Sequence, residues 1–274
     1  THTQTVIITN KGERRYHASK SNKHPRSVRM TNIAVSAHNL HKSFPVPDAT
    51  SVEVLHGISC SIEQGRMTSM VGPSGSGKST ALLCLAGLES ATSGQVTLMG
   101  RDLNALSPAK IAKLYRDKVG FVFQSYNLVP YLSVRENIAI SDTLAGRRSD
   151  QRRLEEVLSR LRLESRTNSL TSTLSGGEQQ RVALGRILYR RPAIVFADEP
   201  TGALDTRSAS VVLYELRRLA DEGATVVLVT HDLNAASLAD SVMILRDGHI
   251  ISRLDSGISS EILLSIMNNA VEGE

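Results

Sequence analysis

Four short apolar runs stand out from a polar background: MTSMVG (67–72), VGFVFQ (119–124), AIVFAD (193–198) and TVVLVTH (225–231). Each is bounded by Gly, Pro or charged residues and is rich in β-branched or aromatic side chains. Each therefore predicts a strand buried on both faces, as in a parallel sheet. Between them the pattern turns helical, in KSTALLCLAGLE, DQRRLEEVLSRLRLE, GEQQRVALGRILYR and SASVVLYELRRLADEG. In the second of these, Leu154, Val157, Leu158 and Leu161 fall on one helical face. Strand–helix alternation of this kind predicts an α/β fold with a mostly parallel sheet. Upstream, IAVSAHNLHKSF, EVLHGISCSIEQG and SGQVTLMGRDL read as strands with turns between them. The stretch from about 125 to 180 is helical in pattern and reads as a subdomain inserted into the sheet domain. The last twenty residues read as a short terminal helix.

In open α/β sheets, ligands bind beyond the carboxyl ends of the strands. All four buried runs end in residues with useful chemistry: the loop from Gly72, then Gln124, Asp198 with Glu199, and His231. The loop Gly72-Pro73-Ser74-Gly75-Ser76-Gly77-Lys78-Ser79 fits the phosphate-loop pattern GxxxxGK[ST], with a strand before it and a helix after it. Its glycines let the backbone wrap a β-phosphate. Lys78 is expected to reach the β- and γ-phosphates, Ser79 to bind Mg²⁺, and Thr80 to add a contact to the α-phosphate. Asp198 is placed to hold Mg²⁺ through water, and Gln124 to bind Mg²⁺ or water through its amide. Neighbouring side chains on a strand face opposite ways, so Glu199 is free for a second task, orienting and deprotonating the attacking water. His231 is expected to hydrogen-bond the γ-phosphate. A second glycine-rich anion cradle lies about a hundred residues on, at Ser175-Gly176-Gly177-Glu178, just before a helix.

Charge changes the picture less than its total suggests. The chain of 274 residues carries a net +5, but residues 1–29 hold seven Lys or Arg and one acid, Glu13. The remainder is close to neutral. A basic tail can bind nucleic acid or anionic lipid, but the composition of 1–29 fits a disordered or added extension, and no function is placed on it. The longest apolar run, ALLCLAGL (81–88), is far short of the roughly 20 residues needed to span a bilayer. With no apolar export signal at the start, the expectation is a chain soluble by itself. Cys60 and Cys84 sit in apolar segments and read as buried, reduced thiols of a cytosolic protein.

Together, GPSGSGKST (72–80), Gln124, LSGGEQQR (174–181), IVFADE (194–199), ALD (203–205) and His231 resemble the ATP-binding-cassette (ABC) ATPases, in that family's order and over about 33–253. The resemblance implies a RecA-like P-loop NTPase core with an antiparallel β subdomain and an inserted α-helical subdomain. It implies a domain over 30–274 that binds and hydrolyses ATP with Mg²⁺, after the leader at 1–29. It also explains the second cradle: two copies pack head to tail, and Ser175, Gly176, Gly177 and Glu178 of one close on the nucleotide held by the other. Asp205 then lies near the dimer seam. Phe44 aligns with the aromatic that stacks on adenine, although PVPDATSVEVLHG after it reads as a longer loop than many members have. FVFQSYNLVPYLSVRENI, LSGGEQQR and ADEPTGALD look like the branch serving lipoprotein release, macrolide export and cell division. That branch implies a transmembrane permease partner with few spans and a large extracytoplasmic domain. The chain would then lie on the cytoplasmic face of the membrane, with Gln124 and the segment after it receiving the partner. The alternative is a soluble ABC ATPase acting on nucleic acid or ribosomes. A single cassette without sustained heptads argues against that, and no nucleic acid is expected.

Overall fold

The computed structural model describes residues 5–8, 14–17, 32–46, 49–255 and 258–269. The first elements are β1 (Thr5–Ile8), β2 (Arg14–His17), β3 (Ile33–Val46), β4 (Ala49–Glu63), β5 (Met67–Val71), α1 (Lys78–Ala86), β6 (Ser93–Leu98) and β7 (Arg101–Asp102). Then come α2 (Pro108–Lys118), β8 (Val119–Phe123), α3 (Val134–Ile138), α4 (Ile140–Leu144), α5 (Gln151–Arg160), α6 (Gly176–Arg190), β9 (Ile194–Asp198) and α7 (Thr206–Asp221). The chain ends with β10 (Thr225–Val229), α8 (Leu233–Ser237), β11 (Ser241–Arg246), β12 (His249–Asp255) and α9 (Ser260–Asn269). The expectation of disorder for 1–29 falls mostly outside the described residues; within that stretch β1 and β2 pair antiparallel. Two compact units emerge, residues 1–108 with 227–274, and residues 109–226.

The first unit holds an antiparallel sheet in the order β4-β3-β6-β7. Its inward positions, among them Leu40, Leu55, Ile58, Ile62, Val96 and Leu98, are buried. The expected long loop at 45–57 is instead an arm of this sheet: β3 and β4 pair with Phe44 opposite Val52 and Val46 opposite Ala49. Val46, Val52 and Val54 carry enough β propensity to extend the pairing past Pro45, and register shifts along the pair absorb the irregularity. A second sheet pairs β5 parallel with β11, and β11 antiparallel with β12. All five residues of β5 are buried, the polar Thr68 and Ser69 among them, as in a strand covered on both faces. The β11–β12 hairpin was not among the sequence expectations. Its turn is Asp247-Gly248, both left-handed (φ 46° and 73°), the conformation that Asp-Gly hairpins favour.

In the second unit β8 and β9 pair parallel, in register from Val119 opposite Ile194 to Phe123 opposite Asp198. Helix α6 packs tightly on β8: a Cβ at Gly120 would lie 2.8 Å from Ile187 Cδ1. Leu154, Val157, Leu158 and Leu161 are all buried. The arginines of this stretch alternate with acids, but not all of them form a solvated face. Arg160 binds Glu215 at 2.5 Å and Glu222 at 3.3 Å, and Arg153 lies over the Tyr189 ring, 5.5 Å from its centroid. Pairing and stacking offset the cost of drawing these side chains in. Strand β10, wholly buried, returns the chain to the first unit.

The two thiols differ. Cys84 is buried, and desolvation pushes its pKa up to about 11, whereas Cys60 is half-buried. A maleimide titration at pH 8 should therefore label Cys60 in the native chain and Cys84 only after denaturation. Equal labelling of both would contradict the packing of α1. Among the described residues no helix is long and apolar enough to cross a membrane.

Candidate functional site

The phosphate loop leaves β5 at Gly72 and enters α1 at Lys78. Two glycines make the turn possible: Gly75 and Gly77 are left-handed, with φ 80° and 90°. Gly77 is also the N-cap of α1 and offers no side-chain cap, so the first N–H groups of the helix face an open cradle. A Cβ at Gly77 would meet Leu55 Cδ2 at 2.9 Å and the Val54 carbonyl oxygen at 3.1 Å, which fixes the loop against β4. Lys78, only 8 % exposed, donates from Nζ to the carbonyl oxygens of Gly72 and Pro73 at 2.9 and 2.8 Å. These bonds lay its ammonium along the loop. Pro73, Ser74, Gly75 and Ser79 are exposed and Thr80 is half-buried, whereas Ser76 is buried with a hydroxyl that has no partner. Unsatisfied donors, a lysine and left-handed glycines in one turn fit a phosphate chain.

The same unit carries Phe44 and His231. Phe44 is half-buried on β3, with the Lys42 ammonium 4.6 Å from its ring centroid. His231 is exposed just past β10, next to Thr230, whose N–H donates to Met70 O at 3.2 Å.

The other predicted residues lie in the second unit. The register of β8 with β9 brings Gln124 to the same sheet end as Asp198 and Glu199. Gln124 is exposed, and its Nε2 would lie 3.1 Å from a Cβ at Gly202, so it packs on the turn after Glu199. Strand β9 stops at Asp198, and Glu199 is left-handed (φ 44°). Strand alternation therefore does not set where Glu199 points, contrary to the sequence argument. A tight turn does: Gly202 N–H donates to Glu199 O at 3.2 Å, and the buried Gln180 of α6 donates to Pro200 O at 2.7 Å. A left-handed non-glycine residue costs about 1–3 kcal/mol and persists only where its surroundings hold it.

The second cradle is less bare than its composition suggests. Ser175 is the N-cap of α6, and its N–H and hydroxyl donate to the Glu178 carboxylate at 2.9 and 3.1 Å, while Glu178 N–H donates back to Ser175 Oγ. This capping box commits donors that the sequence reading assigned to a ligand. The Ser175 N–H, more than the added charge of Arg166, holds the Glu178 carboxyl below its ordinary range. The donors still turned outward belong to Gly176 and Gly177, at the start of α6. Asp205 caps α7, accepting from Arg207 N–H, Ser208 N–H and the Ser208 hydroxyl. That hydroxyl lies 2.4 Å from where a Cβ of Gly177 would stand. Asp205 thus reaches the glycine cradle of its own chain through Ser208. A cavity of about 500 Å³ adjoins it, lined by Arg162, Arg166, Arg181 and Arg207 beside Glu178 and Asp205. Sequence reasoning missed Tyr126, Gln180 and Ser208. Only the capping box, S-x-x-E before an apolar run, carried a local signal.

The sequence profile of the ABC transporter family matches residues 55–202. The macrolide export ATP-binding/permease protein MacB of Shigella flexneri is 44% identical over 215 residues, covering 78% of this chain and 33% of that protein. MacB of Escherichia coli strain K12 is 43% identical over the same extent. The chain thus spans about a third of the length of these curated relatives. Among solved structures, the dimeric MJ0796, described as a bacterial ABC transporter cassette, superposes with a TM-score of 0.74 at 36% identity, covering 81% of this chain and 98% of that one. A dimeric post-hydrolysis state of MJ0796 bound to ADP and Pi gives the same TM-score at 35% identity.

Proposed function

Since the chain belongs to the ABC transporter family, as an ABC ATPase cassette, we propose that it hydrolyses ATP as a head-to-tail dimer and couples that cycle to a transmembrane permease. The observation that carries this reading is the presence of two anion cradles in one chain. The loop at 72–80 supplies its own lysine and helix N-terminus, so the Gly176 and Gly177 donors are left for the nucleotide of a second copy. The dimeric state of the MJ0796 cassette supports a dimer here.

In this reading Gly72 to Thr80 bind the triphosphate and Phe44 stacks on the base. Glu199 orients and deprotonates the attacking water, and His231 and Gln124 position the γ-phosphate and that water. Mg²⁺, when bound, neutralises charge on the phosphates, with Ser79, Asp198 and Gln124 as its protein contacts. Among the described residues no group of three or more His, Cys, Asp or Glu could hold a metal alone. The ion would therefore take most of its ligands from phosphate and water, as Mg²⁺ commonly does. Asp205, through Ser208 and Gly177, links the dimer seam to the second cradle.

The likeness to MacB, an export ATP-binding/permease protein, supports a permease partner; few spans, a large extracytoplasmic domain and a place on the inner face of the cell membrane belong to the same proposal. Capture from detergent-solubilised native membranes, with the ATP-loaded chain as bait, tests this. Recovery of one polytopic membrane protein in stoichiometric amount is the expected result. Recovery of nucleic acid or soluble protein alone would overturn it.

A further inference from the structure

The segment after β8 does not run free over the second unit; it is tied to α6 at two places. At the first residue of α6, the Tyr126 hydroxyl lies 2.9 Å from where a Cβ of Gly176 would stand, and its Cζ lies 3.8 Å away. Ten residues further, roughly 15 Å along the helix, Arg186 donates from Nη1 to Asn127 O at 2.6 Å. Its Nη2 and Nε donate to Asn137 Oδ1 and O, at 2.6 and 3.1 Å. Asn137 is fully buried, accepting from Val129 N–H at 2.9 Å and donating to Val129 O at 3.0 Å. Tyr126 and Asn127 are both left-handed, with φ 61° and 50°. Asn tolerates that conformation; Tyr adopts it at a cost, and so is held there by its contacts.

We propose that Tyr126 is a positioning residue for the second cradle. Its phenol rests on Gly176, sets where the outward N–H groups of Gly176 and Gly177 stand, and passes movements of the 124–133 segment to them. Arg186 holds Asn127, the next residue, and through Asn137 the Val129 backbone to the same helix, so a displacement is transmitted rather than absorbed. This rests on the reading that the second cradle meets the nucleotide of another copy. It adds a second reason for glycine at 176. The backbone there is not left-handed, so alanine is opposed by the Tyr126 hydroxyl, which would have to give way, and not by helix geometry.

The test compares Gly176→Ala, Tyr126→Phe, Tyr126→Ala and the double variant Gly176→Ala/Tyr126→Phe in the full chain. It measures fluorescent ATP binding to the monomer, ATP-dependent dimerisation by light scattering, and kcat with KM. Removing the hydroxyl leaves the ring at ordinary contact distance from an alanine. Gly176→Ala and Tyr126→Ala should weaken dimerisation and lower kcat about tenfold, as small misplacements of binding groups do, with monomer ATP affinity unchanged. Tyr126→Phe, which removes the hydroxyl that rests on Gly176 and keeps the ring, should fall between wild type and Tyr126→Ala, and the double variant should do better than Gly176→Ala. If the double variant is no better than Gly176→Ala, glycine serves only the nucleotide and the proposal fails while the dimer reading stands. Wild-type dimerisation by Tyr126→Ala would likewise overturn it. Absence of ATP-dependent dimerisation in the parent chain would overturn the dimer reading itself.

Discussion

Replacing Glu199 by glutamine should lower steady-state ATP hydrolysis by about 10²–10⁴-fold, the usual contribution of a positioned general base, while nucleotide binding survives. The substitution keeps shape and volume and removes only the charge and the basic oxygen. It also leaves the backbone device alone: the left-handed turn at 199 is held by Gly202 N–H on Glu199 O and by Gln180 on Pro200 O, neither of which uses the Glu199 side chain. The phosphate loop at 72–80 is untouched. Binding without turnover should therefore accumulate an ATP-loaded dimer. Phosphate release measures the first effect and size-exclusion with light scattering the second. Wild-type turnover would remove Glu199 from the catalytic role. Slow turnover without dimers would keep the base and put the head-to-tail reading in doubt.

The sequence carried the elements whose signal is local and missed those that depend on partners far along the chain. The short, mostly apolar runs became β5, β8, β9 and β10 because a strand buried on both faces needs no alternation. Glycine at 75 and 77 was readable because only a residue without Cβ adopts those left-handed turns cheaply. The direction of Glu199 was not readable. Strand periodicity ends at Asp198, and what turns the next residue is Gln180, nineteen positions earlier and buried in another element. Tyr126 against Gly176 is the same kind of fact, a contact between segments fifty residues apart with no motif to announce it. The half-buried Arg186 is a third case. Arg186 is held by carbonyl and amide oxygens rather than by a carboxylate, so no charge pattern in the sequence marks it. The Ser175–Glu178 box, S-x-x-E before an apolar run, is legible in the sequence as a helix cap.

Glycine at 72 should prove the least replaceable residue of the phosphate loop, and for a reason that is not conformational. Its φ is not left-handed. A Cβ there would lie 2.0 Å from Leu245 O and 2.8 Å from Ser76 Oγ. Leu245 belongs to β11, the parallel neighbour that pairs Val71 with Ile244 one residue earlier, so its carbonyl cannot move without parting the two strands. The collision is with backbone, and no rotamer change relieves it. Gly72→Ala should cost about 3 kcal/mol or more, the upper range of overpacking, or roughly 6–12 °C in melting temperature for a chain of this size. It should also abolish ATP binding, because parting β5 from β11 displaces the Gly72 carbonyl on which Lys78 Nζ rests. Gly75→Ala is the control. Nothing lies within 4 Å of its Cβ position, so only the left-handed φ of 80° is penalised, at about 1 kcal/mol. Thermal melts and fluorescent ATP titrations of both variants decide the matter. If Gly75→Ala were the more damaging to stability, conformational freedom rather than the approach of β11 would be what glycine supplies to this loop.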